Sequence, residues 1–218
     1  MKSILALLLL LASPVAGADN DSFKARCEKL AAEANFTAVF EDRPVSRDDG
    51  VRMADLARLV TAGSSLNHST LGVTRAEPAA SMALSVHTLS NGDGRVCAVP
   101  SLQLKLGFSN FEVLLARELG TNPCRRRIVD DHEQEHVTVW RNHLRVGARL
   151  MPLALRQSLG RVAYFSSIGE AESVLRQRAD QQLASLLHRL KEGITAAHQQ
   201  IDSAASYRDA ENRMRTCP

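Results

Sequence analysis

Aromatic residues are scarce, at 4% of the chain with one tryptophan and two tyrosines, which argues against a base-stacking platform for single-stranded nucleic acid. Net charge is equally small. Lys plus Arg is 27 against 24 Asp plus Glu, a balance of +3, and no basic block extends beyond Arg125-Arg126-Arg127. Nothing here marks a nucleic-acid partner. There is no Gly-rich phosphate loop and no G-x-S-x-G nucleophile elbow. Internal repeats and low-complexity linkers are missing, and past the N-terminus no stretch is apolar enough for stable membrane insertion. What is present is ordinary globular material: 218 residues, 44% hydrophobic and 23% charged.

The N-terminus reads as an export signal over residues 1–18. Met1-Lys2 is a short positive region, Ile4 to Ala12 a nine-residue apolar run, and Ala16-Gly17-Ala18 a small-residue cleavage site. Nine apolar residues cannot span roughly 30 Å of hydrocarbon. No cysteine follows the predicted cut, so a lipid anchor is not expected. The chain is therefore expected to be exported, periplasmic or secreted.

Four cysteines, Cys27, Cys97, Cys124 and Cys217, suit disulfides in an oxidising compartment. No pair has the C-x2-4-C spacing of a zinc ribbon. Of three possible connectivities, Cys97–Cys124 with Cys27–Cys217 is expected. The first would tie a strand to the start of the next helix and stabilise by roughly 3–4 kcal/mol in the chain-entropy model.

Periodicity divides the chain into helices and a strand-rich middle. Residues 22–34 predict a short helix, Thr37 to Phe40 a strand, and Asp48 or Asp49 an N-cap for a helix over 51–62. Met82–Leu89, Val96–Val99, Leu102–Leu106 and Phe111–Ala116 read as short strands, with Ser90–Gly94 a turn. Asn122 and Pro123 then open a helix expected to stop near Leu150, ahead of Pro152. A second long helix is expected from about Ile168 to Gln200, and a final turn or two over Tyr207–Met214. The expectation is an α+β fold: a small, mostly antiparallel sheet packed on these two helices. Residues 19–218 form a single domain, with about 19–80 an N-terminal α/β extension.

One motif carries chemistry: His132-Glu133-Gln134-Glu135-His136, an H-E-x-x-H on a predicted helix. Residues four apart share a helix face one turn apart, so two imidazoles can hold one zinc ion. The intervening Glu133 lies about 100° round, able to reach water without being a ligand. Both His fall within the apolar stripe containing Ile128 and Val139. They are either satisfied core residues or metal ligands; inward imidazoles need polar partners, and a metal supplies one to each. His143 shares the face but lies about 10.5 Å beyond His136 along the axis, too far for the same ion.

A catalytic zinc needs a third ligand. The longer motif with a third His is absent, since Val139 and Asn142 stand at its Gly and His positions. On the second long helix Glu172 falls inside the stripe of Leu175, Ala179, Leu183 and Leu186. An inward carboxylate is costly unless paired or metal-bound. Glu172 is thus either the third ligand or the partner of Arg125 or Arg145.

His132-Glu-Gln-Glu-His136 with a Glu on a later helix resembles the zincin metallopeptidases of the gluzincin type. It also looks like the small exported bacterial proteins grouped as predicted secreted zinc-dependent proteases. The resemblance covers about residues 82–190, without the N-E-x-x-S-D signature, the local sequence being Gly169-Glu-Ala-Glu-Ser173. It implies a Zn2+ cofactor held by His132, His136 and Glu172, with Glu133 as general base and a peptide or protein substrate. The substrate would lie along a sheet edge, for which 111–116 is the expected strand. Tyr164, His198 and Tyr207 are candidate donors to the reacting carbonyl. The competing expectation is a non-catalytic binding or assembly factor, or an inactive protease relative, with a structural metal or none.

Overall fold

The computed structural model describes residues 18–60 and 70–218, so the predicted leader up to Gly17 lies outside the described residues. The fold is α+β, as expected, and its sheet is mixed. In chain order the elements are α1 (Ala18–Glu33), β1 (Phe36–Glu41), β2 (Ser46–Val51), α2 (Met53–Leu59), β3 (Gly72–Ser90) and β4 (Val96–Ala116). They continue, after a 3-10 turn, with α3 (Pro123–Leu159), β5 (Ala163–Phe165), α4 (Ile168–Ile201) and α5 (Ala204–Arg215).

The three segments expected as short strands between Val96 and Ala116 form one strand, β4. In Leu102-Gln-Leu-Lys-Leu106 the leucines are buried against the helices while Gln103 and Lys105 face solvent, and the apolar phase resumes at Phe111. Gly107 lets the chain through where Glu41 crowds it, since a Cβ there would lie 2.9 Å from the Glu41 carbonyl. β3 runs antiparallel along nearly the whole of β4 on one side. On the other side β5, β1 and β2 follow one another end to end, β5 antiparallel and β1 and β2 parallel. The 111–116 stretch is therefore central, flanked by β2 and β3, and not the free edge expected of it. Among the described residues the sheet has two outer edges, β3 on one side and β5, β1 and β2 on the other.

Residues 48 and 49 differ from expectation too. Asp48 lies in β2 opposite Leu114, and Asp49 pairs with Arg126. α2 starts at Arg52 without a side-chain cap from its own strand, and the Glu118 carboxylate accepts from the Met53 N–H instead (3.0 Å).

α3 begins as the sequence indicates, with Asn122 accepting from Arg125 N–H (3.1 Å) and Pro123 at the first position. It does not stop at Pro152. A proline inside a helix forfeits one backbone bond, about 3 kcal/mol. Here Met151, Leu155 and Leu159 of the same stretch are buried against Leu102, Leu104 and Leu106, and that burial outweighs the lost bond. α4 returns antiparallel across the same face, bringing Leu190 against Gly147 and Gly193 against His143.

The disulfides are Cys27–Cys97 and Cys124–Cys217, not the expected pairs. Because β4 is continuous, Cys97 at its start and Cys124 beyond its end are separated by the strand's length, on the order of 60 Å. Cys97 instead meets α1, beside Phe23. Cys124, in the first turn of α3, meets the end of the chain, where Asn122 Nδ2 also donates to Pro218 O (2.9 Å). Two disulfides fit an exported protein, and no described helix is long and apolar enough to cross a membrane. Proteolytic mapping without reductant should recover linked fragments containing Cys27 with Cys97 and Cys124 with Cys217. The Cys27→Ser/Cys97→Ser variant should lose about 2–5 kcal/mol in urea unfolding.

Candidate metal centre

α3 sets His132 and His136 one turn apart on its inner face, with ring centroids 5.0 Å apart. What lies opposite is fixed by the antiparallel return of α4, whose C-terminal end reaches the motif. Its C-cap is Asp202, whose N–H donates to His198 O (2.9 Å), and Ser203 then caps α5. One oxygen, Asp202 Oδ1, lies 3.3 Å from His132 Nε2 and 3.2 Å from His136 Nε2, and accepts from Tyr207 OH at 2.9 Å. The His136 ring is contacted on its other side by His198, Nδ1 to Nδ1 at 2.7 Å. Tyr207 stacks obliquely on His132 and Trp140 on His198, walling the cluster.

Electrostatics follow from this crowding. Burial raises the Asp202 carboxyl, but hydrogen bonds from both imidazoles and the phenol outweigh it and hold the group below the usual carboxylate range. Burial works against charging His132, yet Asp202 and Glu133 raise it overall. His198 is pushed down to about 4 by burial and by the neighbouring His136. Burial, then Asp202, raise the Tyr207 phenol.

Glu133 is 4% exposed and turns toward β3. Thr74 Oγ1 donates to its Oε2 at 2.7 Å. Gly72 lies against the same side chain: a Cβ there would sit 2.5 Å from Oε1 and 2.8 Å from Val129 Cγ1. Burial raises this carboxyl, opposed by the Thr74 bond and by the nearby imidazoles.

Glu172, expected as the third ligand, is not at this cluster. It is exposed near the start of α4, about 45 Å along the helix from Asp202. The helical-wheel angle identified a stripe but not which end of it meets His132. Helices joined by a short connection pack antiparallel, so the partner of His132 and His136 lies far down α4. The i, i+4 pair His198 and Asp202 was the signal for it. Of the three donor candidates, His198 and Tyr207 are at the cluster, whereas Tyr164 pairs with Cys97 at the far end of β4. His143 bonds Val139 O on its own helix (2.9 Å), in keeping with a place outside the ligand set. Thr74 and Gly72 carried no signal, because their role depends on β3 reaching α3.

Among the described residues, His132, His136 and Asp202 form a group of ligating side chains that could hold a metal ion, with donor atoms all within 4.8 Å of one another. The donor set fits zinc in type, two imidazoles and a carboxylate. Two of the three separations suit it as well: donors on a tetrahedral zinc with bonds near 2.1 Å lie about 3.4 Å apart, the two N–O separations are 3.3 and 3.2 Å, and all three donor atoms lie within 4.8 Å of one another. Moreover, three donors converging on one carboxylate oxygen exceed the lone pairs it has in its plane. A cation among these atoms would relieve that crowding.

The chain matches no family model, no curated protein and no solved structure. A direct check of the Glu133 setting is Gly72→Ala. The added methyl must displace a buried carboxylate and Val129, so stability should fall by about 1–3 kcal/mol in urea unfolding; an unchanged midpoint would refute the close approach.

Proposed function

We propose that this chain is an exported zinc-dependent metallopeptidase, acting in the periplasm or outside the cell, in which His132, His136 and Asp202 hold the metal. The observation that carries the reading is the convergence of both motif imidazoles on one carboxylate oxygen, with the buried Glu133 between them in sequence. When bound, zinc at a three-ligand site supplies Lewis acidity, acidifying water and polarising a carbonyl.

The chain's own residues account for the rest. Glu133 takes the proton of the attacking water and delivers it to the leaving amine nitrogen. Thr74 engages Oε2, leaving Oε1 for the proton, and the raised affinity of a buried carboxyl for protons suits a base that must also act as an acid. The free edge of β3 passes Glu133 at Gly72 and Thr74, so an extended peptide pairing with that edge is carried to the base by backbone hydrogen bonds. Walls made by Tyr207 and Trp140 limit water around the imidazoles.

Glu133→Gln should lower chelator-sensitive cleavage of an unstructured peptide by about 10²–10⁴-fold while stoichiometric zinc stays bound; undiminished hydrolysis overturns the base assignment. On metal analysis, His136→Ala and Asp202→Ala should lose zinc and Glu172→Ala should keep it. The reverse outcome for Asp202 and Glu172 would restore the ligand set expected from sequence. Bound zinc without any cleavage would favour the metal-holding, non-catalytic alternative.

A further inference from the structure

His198 lies one turn before Asp202 on α4 and is not among the convergent ligand atoms. Its Nδ1 is 2.7 Å from His136 Nδ1. Its Nε2 is buried and has no hydrogen-bond partner. We propose that His198 is a positioning residue: it accepts the His136 Nδ1 proton and thereby fixes the tautomer and ring orientation in which His136 Nε2 presents a lone pair to a metal. This rests on the reading of His132, His136 and Asp202 as ligands.

The proton count leads there. A neutral imidazole carries one N–H and one lone pair. If His136 Nε2 is to face a cation, its proton must be on Nδ1. Two nitrogens 2.7 Å apart need one proton between them, so His136 donates and His198 accepts. His198 then keeps its own proton on Nε2. The same distance excludes both Nδ1 atoms as ligands of one zinc, whose donors lie about 3.4 Å apart.

The placement is also mechanically economical. His198 and Asp202 share one turn of α4, so the orienting group and the acidic ligand are carried into place by the same helix end. The His198 ring is fixed between Trp140 and His136, at centroid distances of 5.3 and 4.8 Å. Ligating histidines usually donate their second N–H to a carboxylate, carbonyl or water. A neutral imidazole orients His136 without adding negative charge beyond Asp202, which leaves the metal a stronger Lewis acid.

The test compares His198→Leu with His198→Asn. Asn offers Oδ1 near the position of Nδ1 and can still accept; Leu fills space without accepting. In zinc titrations against a chromophoric chelator, the Leu variant should bind about 10–100-fold more weakly, while the Asn variant keeps the wild-type affinity. Cobalt(II) loaded into either variant should give the wild-type visible band positions, because the ligand set is unchanged. Equal losses in both variants mean His198 acts only through packing and overturn the proposal. Wild-type affinity in the Leu variant overturns it as well, and a shifted cobalt spectrum would make His198 a ligand instead. Long-range proton–nitrogen correlation spectra of the zinc-loaded wild type read the tautomers without a substitution. His136 protonated on Nδ1 and His198 on Nε2 is expected, and the opposite pair refutes the assignment. A wild type that binds no zinc fails at the earlier step, refuting the metal reading itself.

Discussion

Among the described residues, every other strand of the sheet pairs with β4. A strand of that length cannot fold back, so it fixes two ends of the molecule far apart and leaves the helices to run between them. α3 follows its sheet face from one end to the other, and α4 must return. Each end of β4 is closed by its own disulfide, Cys27–Cys97 at the start and Cys124–Cys217 beyond the finish. The motif histidines sit in the early part of α3, near the second end. The beginning of β3, the end of α4 and α5 reach the motif there, and these supply Thr74 to Glu133 and Asp202 and Tyr207 to the histidines.

The chemistry of the centre follows from that confinement. Removing an ionised carboxylate from water costs several kcal/mol unless its lone pairs are engaged. Asp202 engages one oxygen with two imidazoles and a phenol, and its proton affinity drops despite the burial. Glu133 sits in the same electrostatic field but away from those donors, with a single hydroxyl on Oε2, and burial raises it. Two carboxyls close together are thus driven in opposite directions by their hydrogen bonds. That separation suits a ligand that stays charged beside a base that takes and releases a proton.

How much of this was legible in the sequence depends on how local the cause is. The cap Asn122–Pro123, the turn ending at Gly94, the α4 boundaries and the inward face of His132 and His136 are set by neighbours within a turn or two, and each could be read. The breaks placed within β4 were wrong because Pro100 and Gly107 act as strand punctuation only when no flanking partner holds the strand straight. Here β3 spans both positions. Pro152 misled in the same way, since the penalty is local and the compensating burial is not. The disulfide pairing failed with the strand breaks, because it assumed that β4 turns back. The helical angle of Glu172 fails on both counts: the buried line of α4 runs through Ala171, Leu175 and Ala179 and leaves Glu172 exposed, and an angle does not give the end of the helix that meets its partner.

Both helix termini at the centre run against the macrodipole. A C-cap carboxylate faces the negative end of α4, and three arginines, Arg125 to Arg127, crowd the positive end of α3. At α3 one part of the conflict is answered by an ordinary ion pair, Arg126 with Asp49 from β2. At α4 the answer is not an exposed cation but two largely buried imidazoles and a phenol, brought from different elements onto one oxygen. A helix end needing only electrostatic relief could take it from a surface lysine at no cost in burial. Local rules broken in favour of convergent ligand types are what a binding site requires and a purely structural contact does not. The placement of Asp202 therefore supports a cation site more strongly than the H-E-x-x-H spacing does, because spacing arises by chance and this arrangement has a standing energetic cost.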